Sequence, residues 1–286
     1  MIFVPEPEKV KKCRLKFISS YIKNFIEVDN MYNVLSIKNN DALDISEYIY
    51  LAKKSGFNSF NIHEEQIDLC KSTWFEIEKI HQLLVVNNFC IPMYKMFLDN
   101  NKSDILLLME KLVVLDVKYL LFDKVCVSEV FAKDISEIVR LANRFNIKVL
   151  FENQADLDEI TVLKNTFQAE IPFDIGILFN PVNFLQFGFL PLHNAYFPAN
   201  YKNYIEGILL KDGIVKKTDD KDQTSSEIEE TELGFGNAQI LELISINKAR
   251  SYKGMLIFEI DNSGDHENKS KILDSLIDFR KKIGRL

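Results

Sequence analysis

The sequence predicts an α/β fold, a (β/α)8 TIM barrel preceded by one extra helix. Three observations lead there. From residue 32 onward, short apolar runs alternate with longer stretches of helical period in eight successive units. The runs are continuously hydrophobic instead of alternating, as parallel strands covered on both faces require. No G-x-G-x-x-G follows the first run, which favours a closed barrel over a doubly wound dinucleotide-binding sheet.

Taken in order, residues 1–31 look helical from Glu8 to Glu27 and are read as an extension against the barrel wall or floor. The barrel is assigned to 32–286 as a single domain. "YNVLSIK" (32–38) reads as its first strand, followed by a helix over 44–56 with Ile45, Ile49 and Ala52 on one face, Asp44 as N-cap and Gly56 as C-cap. "FNSFNIH" (57–63), "FCIPMYKM" (89–96), "VKYLLFD" (117–123) and "IKVLFEN" (147–153) read as the next strands, with helices over 72–88, 102–116 and 128–146. A helix over 157–168 precedes "DIGILFN" (174–180). A polar helical stretch near 191–204 then leads to "IEGILLKD" (205–212). The segment 214–233 is polar, acidic and poor in hydrophobic residues, and reads as a loop. A helix over 237–252, the strand "KGMLIFEID" (253–261) and a helix over 269–284 close the series.

The totals fit one soluble globular barrel: 286 residues, 47% apolar, 27% charged. A formal charge of −7 argues against a nucleic-acid partner, because neutralising phosphates calls for a basic face. Cys13, Cys70, Cys90 and Cys126 show no CxxC spacing and read as reduced thiols. "MIFVPEPEKVKKCRLKF" has no signal-peptide core, and no apolar run nears the roughly 18 residues of a membrane span. The expected location is the cytoplasm, without a membrane partner; homo-oligomerisation stays open.

In such a barrel chemistry sits at the C-terminal strand ends. The fifth strand ends in Glu152 and Asn153, and the eighth carries Glu259 and Asp261. A carboxylate closing a buried strand costs several kcal/mol unless it is paired or bound. Other polar strand ends are His63, Lys95, Asn180 with Asn183, and Lys211 with Asp212. A lysine beside a glutamate in a dry pocket is able to transfer protons without a metal. Gly-rich phosphate loops and Ser/His/Asp arrangements are absent.

"VLFENQ", "GILFNPVNFLQFG", "GILLKDG", "LGFGNAQILELI" and "KGMLIFEID", in this order and spacing, resemble the xylose isomerase-like barrel superfamily. The resemblance covers at least 44–284 and is best over 147–262. The superfamily includes sugar isomerases, epimerases and barrel-type AP endonucleases. In its sugar-converting members a Glu, an Asp, a His and a second Glu hold a divalent metal. The resemblance places Glu152 and Glu259 at the two Glu positions, puts Asn180 where the Asp belongs and Leu209 where the His belongs, and matches Lys211 to a lysine of the same strand end. Asn183 stands where endonuclease members have a further His.

Asp to Asn removes a charge and His to Leu removes a ligand, so the resemblance implies a degenerate metal site that binds Mg²⁺ or Mn²⁺ weakly or not at all. Three readings follow. The first is an isomerase or epimerase relative that still binds a sugar, sugar phosphate or polyol, with Glu152, Glu259 and Lys211 as the chemical groups. His63, Lys95, Asn180, Asn183 and Asp212 would contact the ligand, and no cofactor is needed. The second is an active isomerase whose Mn²⁺ or Mg²⁺ is held by Glu152, Asn180, Glu259 and a further group. The third is a non-catalytic interaction scaffold.

Overall fold

The computed structural model describes residues 32–38, 44–97, 105–122, 129–153, 175–186, 188–196, 204–216, 227–261 and 266–284. The expected helices within 1–31 and over 157–168 lie outside these residues. Seven strands come first: β1 (Tyr32–Lys38), β2 (Phe60–His63), β3 (Met93–Met96), β4 (Tyr119–Phe122), β5 (Lys148–Glu152), β6 (Ile175–Phe179) and β7 (Ile205–Leu210). A ribbon of β8 (Asp212–Val215) and β9 (Ile228–Thr231) follows, and β10 (Met255–Asp261) is last. The helices are α1 (Ile45–Lys54), α2 (Trp74–Asn87), α3 (Ile105–Val114), α4 (Glu129–Arg144), α5 (Pro181–Leu185), α6 (Ile240–Ala249) and α7 (His266–Ile283). None of them is long and apolar enough to cross a membrane.

Strands β1 to β7 pair in parallel in chain order, and β10 lies between β7 and β1 to close the barrel. The closing ladder runs the length of β1, from Tyr32 opposite Met255 to Lys38 opposite Asp261. Strand alternation then divides the apolar residues into two sets. Leu35, Ile37, Phe60, Ile62 and their equivalents face the helices. Val34, Met93, Leu121, Leu150, Leu178 and Leu209, with Met255 and Ile257 from β10, fill the barrel interior. On every barrel strand but β2, whose interior positions are Asn61 and His63, both faces are therefore apolar through the middle, which is why the runs look continuous in sequence.

The helix boundaries have local causes. Asp44 caps α1 by accepting from the Ser46 amide, and Thr73 with Glu76 forms a capping box on α2. Asn88, Asp116 and Asn146 each adopt left-handed backbone between a helix and the next strand. Asn and Asp tolerate that conformation and end a helix sharply. In Asn180-Pro181 the asparagine caps α5 and the proline occupies its first turn, so β6 passes straight into a helix.

Two expectations change. Over 191–204 the described helical structure is only a π-helical turn at Pro191–Tyr196. Of the loop expected over 214–233, residues 214–215 and 228–231 are strand: β8 and β9 pair antiparallel, Asp212 opposite Thr231 and Val215 opposite Ile228. Backbone hydrogen bonding stabilises this ribbon, and hydropathy carries no signal of it. Cys70 and Cys90 are half-buried and form no disulfide.

Candidate functional site

Two residues beyond the apolar ring, the interior face of the barrel turns polar at its C-terminal end. Stepping from Val34, Met93, Leu150, Leu178, Leu209 and Ile257 leads to Ser36, Lys95, Glu152, Asn180, Lys211 and Glu259. The β4 member of this set, residue 123, lies outside the described residues. His63, at the end of β2, joins through a 3.0 Å hydrogen bond between its Nε2 and Ser36 Oγ. The period-2 pattern of the strands thus gathers residues from across the chain into one mouth.

Glu152 sits at the centre of an amide network. Its Oε1 accepts from Asn180 Nδ2 at 2.7 Å, and Lys95 Nζ stands 4.0 Å from its Oε2. Asn180 Nδ2 also donates to Asn183 Oδ1 at 3.2 Å, and Asn183 Nδ2 donates to the Asn153 carbonyl at 2.6 Å. Asn153, fully buried, exchanges hydrogen bonds with the Asn180 backbone in both directions. A network satisfied on this scale holds the Glu152 carboxylate rigidly.

Next round the barrel from β6, at the ends of β7 and β10, Lys211 Nζ lies 2.5 Å from Glu259 Oε1 and 3.7 Å from Glu230 Oε1 on β9. Burial alone would lower the Lys211 pKa, but the charge and hydrogen bond of Glu259, aided by Glu230 and Glu152, outweigh it and leave the value raised. The lysine is therefore a firm cation. Only 8% of the Glu259 side chain is exposed.

The wall beside His63 is fixed from behind. The His63 amide donates to Gln66 Oε1, and Gln66 Nε2 donates to the Ile37 carbonyl, tying the ends of β2 and β1 together. The Tyr94 hydroxyl bridges the Leu69 amide and the Ile67 carbonyl. The buried Lys111 ammonium donates to the carbonyls of Leu69, Cys70 and Ser72.

Of the predicted site residues, Glu152, Glu259, Lys211, His63, Lys95, Asn180 and Asn183 converge on the mouth; Asp212 does not. Its buried carboxylate accepts four backbone amides, those of Gly213, Gly234, Gly236 and Ala238. It anchors the β8–β9 ribbon to the turn before α6. A Cβ on Gly236 would stand 2.2 Å from Asp212 Oδ1, and Gly234 has φ +85°, so "GFG" at 234–236 serves this cradle. Ser36 and Glu230 belong to the site and were not singled out for it, and Asn153 was named at the end of the fifth strand without a role. Ser36 was accessible from its alternation with Val34; Glu230 depends on a pairing that no local pattern shows.

Among the described residues, the donors at the mouth are not those of a divalent-cation site. Among the described residues no three His, Cys, Asp or Glu side chains are arranged to hold a metal ion. The Val182 amide donates to Asn180 Oδ1 at 3.1 Å, so this atom must be oxygen and the Nδ2 group is the one turned toward Glu152. An ammonium faces each glutamate, and Leu209 is packed in the apolar ring.

No protein-family model matches the chain, and no curated protein matches it. Solved structures do. A xylose isomerase domain protein from Planctomyces limnophilus superposes with a TM-score of 0.71 at 13% identity, covering 88% of this chain and 96% of that one. A xylose isomerase-like TIM barrel protein from Mycobacterium smegmatis, in complex with magnesium, gives 0.63 at 12% identity over 88% and 99%. D-psicose 3-epimerase in the presence of D-fructose gives 0.61 at 10% identity over 88% and 99%. The fold is that of the xylose isomerase-like TIM barrels.

Proposed function

We propose that this protein is a relative of the sugar isomerases and epimerases whose barrel mouth binds a sugar, sugar phosphate or polyol, and whose metal centre is degenerate. The reading rests on one observation: each glutamate that would hold a metal instead faces a lysine ammonium, Lys95 for Glu152 and Lys211 for Glu259. A tethered cation supplies positive charge where a divalent ion would otherwise be needed, and a metal would have to displace it. The paired charges leave carboxylate acceptors, ammonium donors and carboxamides around one end of the barrel, a set suited to several hydroxyl groups. Glu152, Glu259 and Lys211 are the groups proposed for proton transfer, with His63, Lys95, Asn180 and Asn183 contacting the ligand. The proposed location is the cytoplasm.

Thermal melting tests the reading. Millimolar neutral sugars, polyols or sugar phosphates should raise Tm, whereas millimolar Mn²⁺ should not. A rise with Mn²⁺ alone, or stoichiometric metal in the purified protein, would sink it.

A further inference from the structure

The floor of the barrel, at the end away from the mouth, carries an irregularity. Ile177 on β6 pairs with Ile205 on β7, but the next residue, Leu178, pairs with Gly207, which makes Glu206 the extra residue of a β-bulge. Glu206 and Gly207 both turn inward. A Cβ on Gly207 would meet Leu178, Met255 and Ile257 of the interior set. A Cβ on Gly176 would stand 2.5 Å from Glu206 Cγ and 2.6 Å from the interior Leu150. The glutamate therefore crosses β6 over Gly176. Its Oε1 lies 2.5 Å from Lys148 Nζ on β5, and its Oε2 accepts from the Tyr119 hydroxyl on β4 at 3.3 Å. Two strand spacings are about 10 Å, and a side chain on β6 at this point would block the reach. On the other flank, a Cβ on Gly254, just ahead of β10, would stand 2.6 Å from the Glu206 carbonyl oxygen. Glycine on both sides fits the bulge into the wall.

The bulge decides what β7 presents to the mouth. With it, Gly207, Leu209 and Lys211 lie on the inner face, and Ile208 and Leu210 face the helices. Regular pairing onward from Ile205 would put Glu206 opposite Leu178 and Gly207 opposite Phe179, and the two sets would change places. Lys211 would then turn away from Glu259. Hydropathy opposes that slip weakly, because Leu and Ile occupy both faces of β7. We infer that Glu206 is a positioning residue: held over Gly176 by Lys148 and Tyr119, it pins the bulge, and the bulge delivers Lys211 to Glu259. In the slipped register Glu206 would sit one residue further up the interior, out of line with Lys148 at the floor. The charge pair thus supplies the preference that two apolar faces lack. The Asp212 cradle holds the far end of the strand, so β7 is fixed both below and above its inward-facing residues.

The test is a double-mutant cycle of Lys211→Met and Glu259→Gln, run by denaturant unfolding of the full chain in wild-type and Glu206→Ala backgrounds. Glu206 and Lys211 stand five residues apart on one strand, about 16 Å. Sites so distant are additive, so a merely structural loss at the floor lowers overall stability and leaves the Lys211–Glu259 coupling unchanged. The expected result is a coupling reduced by about half or more in Glu206→Ala. Glu206→Gln keeps a hydrogen-bonding group for Lys148 and Tyr119 and should retain most of the coupling; a glutamine no better than alanine overturns the pinning contact. Lys148→Met serves if the alanine variant does not fold, with the same loss expected. Unchanged coupling in that background overturns the role of Glu206 and leaves the proposed function intact. Absence of coupling in the wild-type protein removes the charge pair on which both readings depend, and overturns both.

Discussion

Replacing Lys211 by methionine isolates the charge pair on which the metal-free reading depends. The ammonium stands 2.5 Å from Glu259 Oε1, with 21% of the lysine and 8% of the glutamate side chain exposed. Methionine keeps the stem and removes the charge, leaving the carboxylate without its lysine in a largely dry position. Breaking a fully buried pair costs about 3–5 kcal/mol. Lys211 retains some solvent, so the expected loss is about 2–3 kcal/mol. At roughly 2–4 °C per kcal/mol for a chain of this size, Tm should drop by about 4–12 °C.

The sign of the pH dependence follows from the raised pKa of Lys211. Its stabilising contribution is complete below the ordinary value of 10.5 and disappears as pH climbs through the raised one. The Tm gap between wild type and Lys211→Met should therefore be level from neutral to mildly alkaline pH and narrow only in strong alkali. Adding Glu259→Gln to the variant should recover most of the loss, because no stranded carboxylate remains. Scanning calorimetry of the four proteins reads the coupling directly. A Lys211→Met protein that melts like wild type, or a double variant with the summed losses of the singles, would refute the reasoning.

Two further outcomes are expected. Asn180→Asp with Leu209→His should gain Mn²⁺ affinity measurable by calorimetry. Without metal this variant should melt below wild type at neutral pH, because a carboxylate oxygen replaces the amide now 2.7 Å from Glu152 and an imidazole enters the apolar ring. Absence of Mn²⁺ binding would count against the alignment of these strand ends with the sugar isomerases. Gly236→Ala should push the Asp212 carboxylate out of its cradle and cost about 2–4 kcal/mol. Hydrogen exchange at the Gly213, Gly234 and Ala238 amides should quicken; unchanged protection there would show that the carboxylate is not what holds the turn.

Continuous apolar runs alternating with amphipathic helices were enough to determine the barrel, since burial on both strand faces leaves a mark on every strand. Period-2 alternation also carried Glu152, Asn180, Lys211 and Glu259 to one end, because the same local geometry that buries Val34 or Leu209 aims the residue two steps on into the mouth. What those side chains do to one another was settled only in three dimensions. Asp212 looks like part of the mouth in "LLKD", yet its carboxylate is claimed by the adjacent Gly213 amide and by those of Gly234, Gly236 and Ala238, distant in sequence. Asn61 looks like an ordinary strand residue until the β1–β2–β3 register puts it, with its amide unpaired, opposite Ser36 and beside Met93. Glu230 reaches Lys211 only because β8 and β9 pair across a stretch whose hydropathy suggests a loop. Periodicity is a property of neighbours along the chain, whereas hydrogen-bond partners and charge pairs depend on distances that chain closure alone decides.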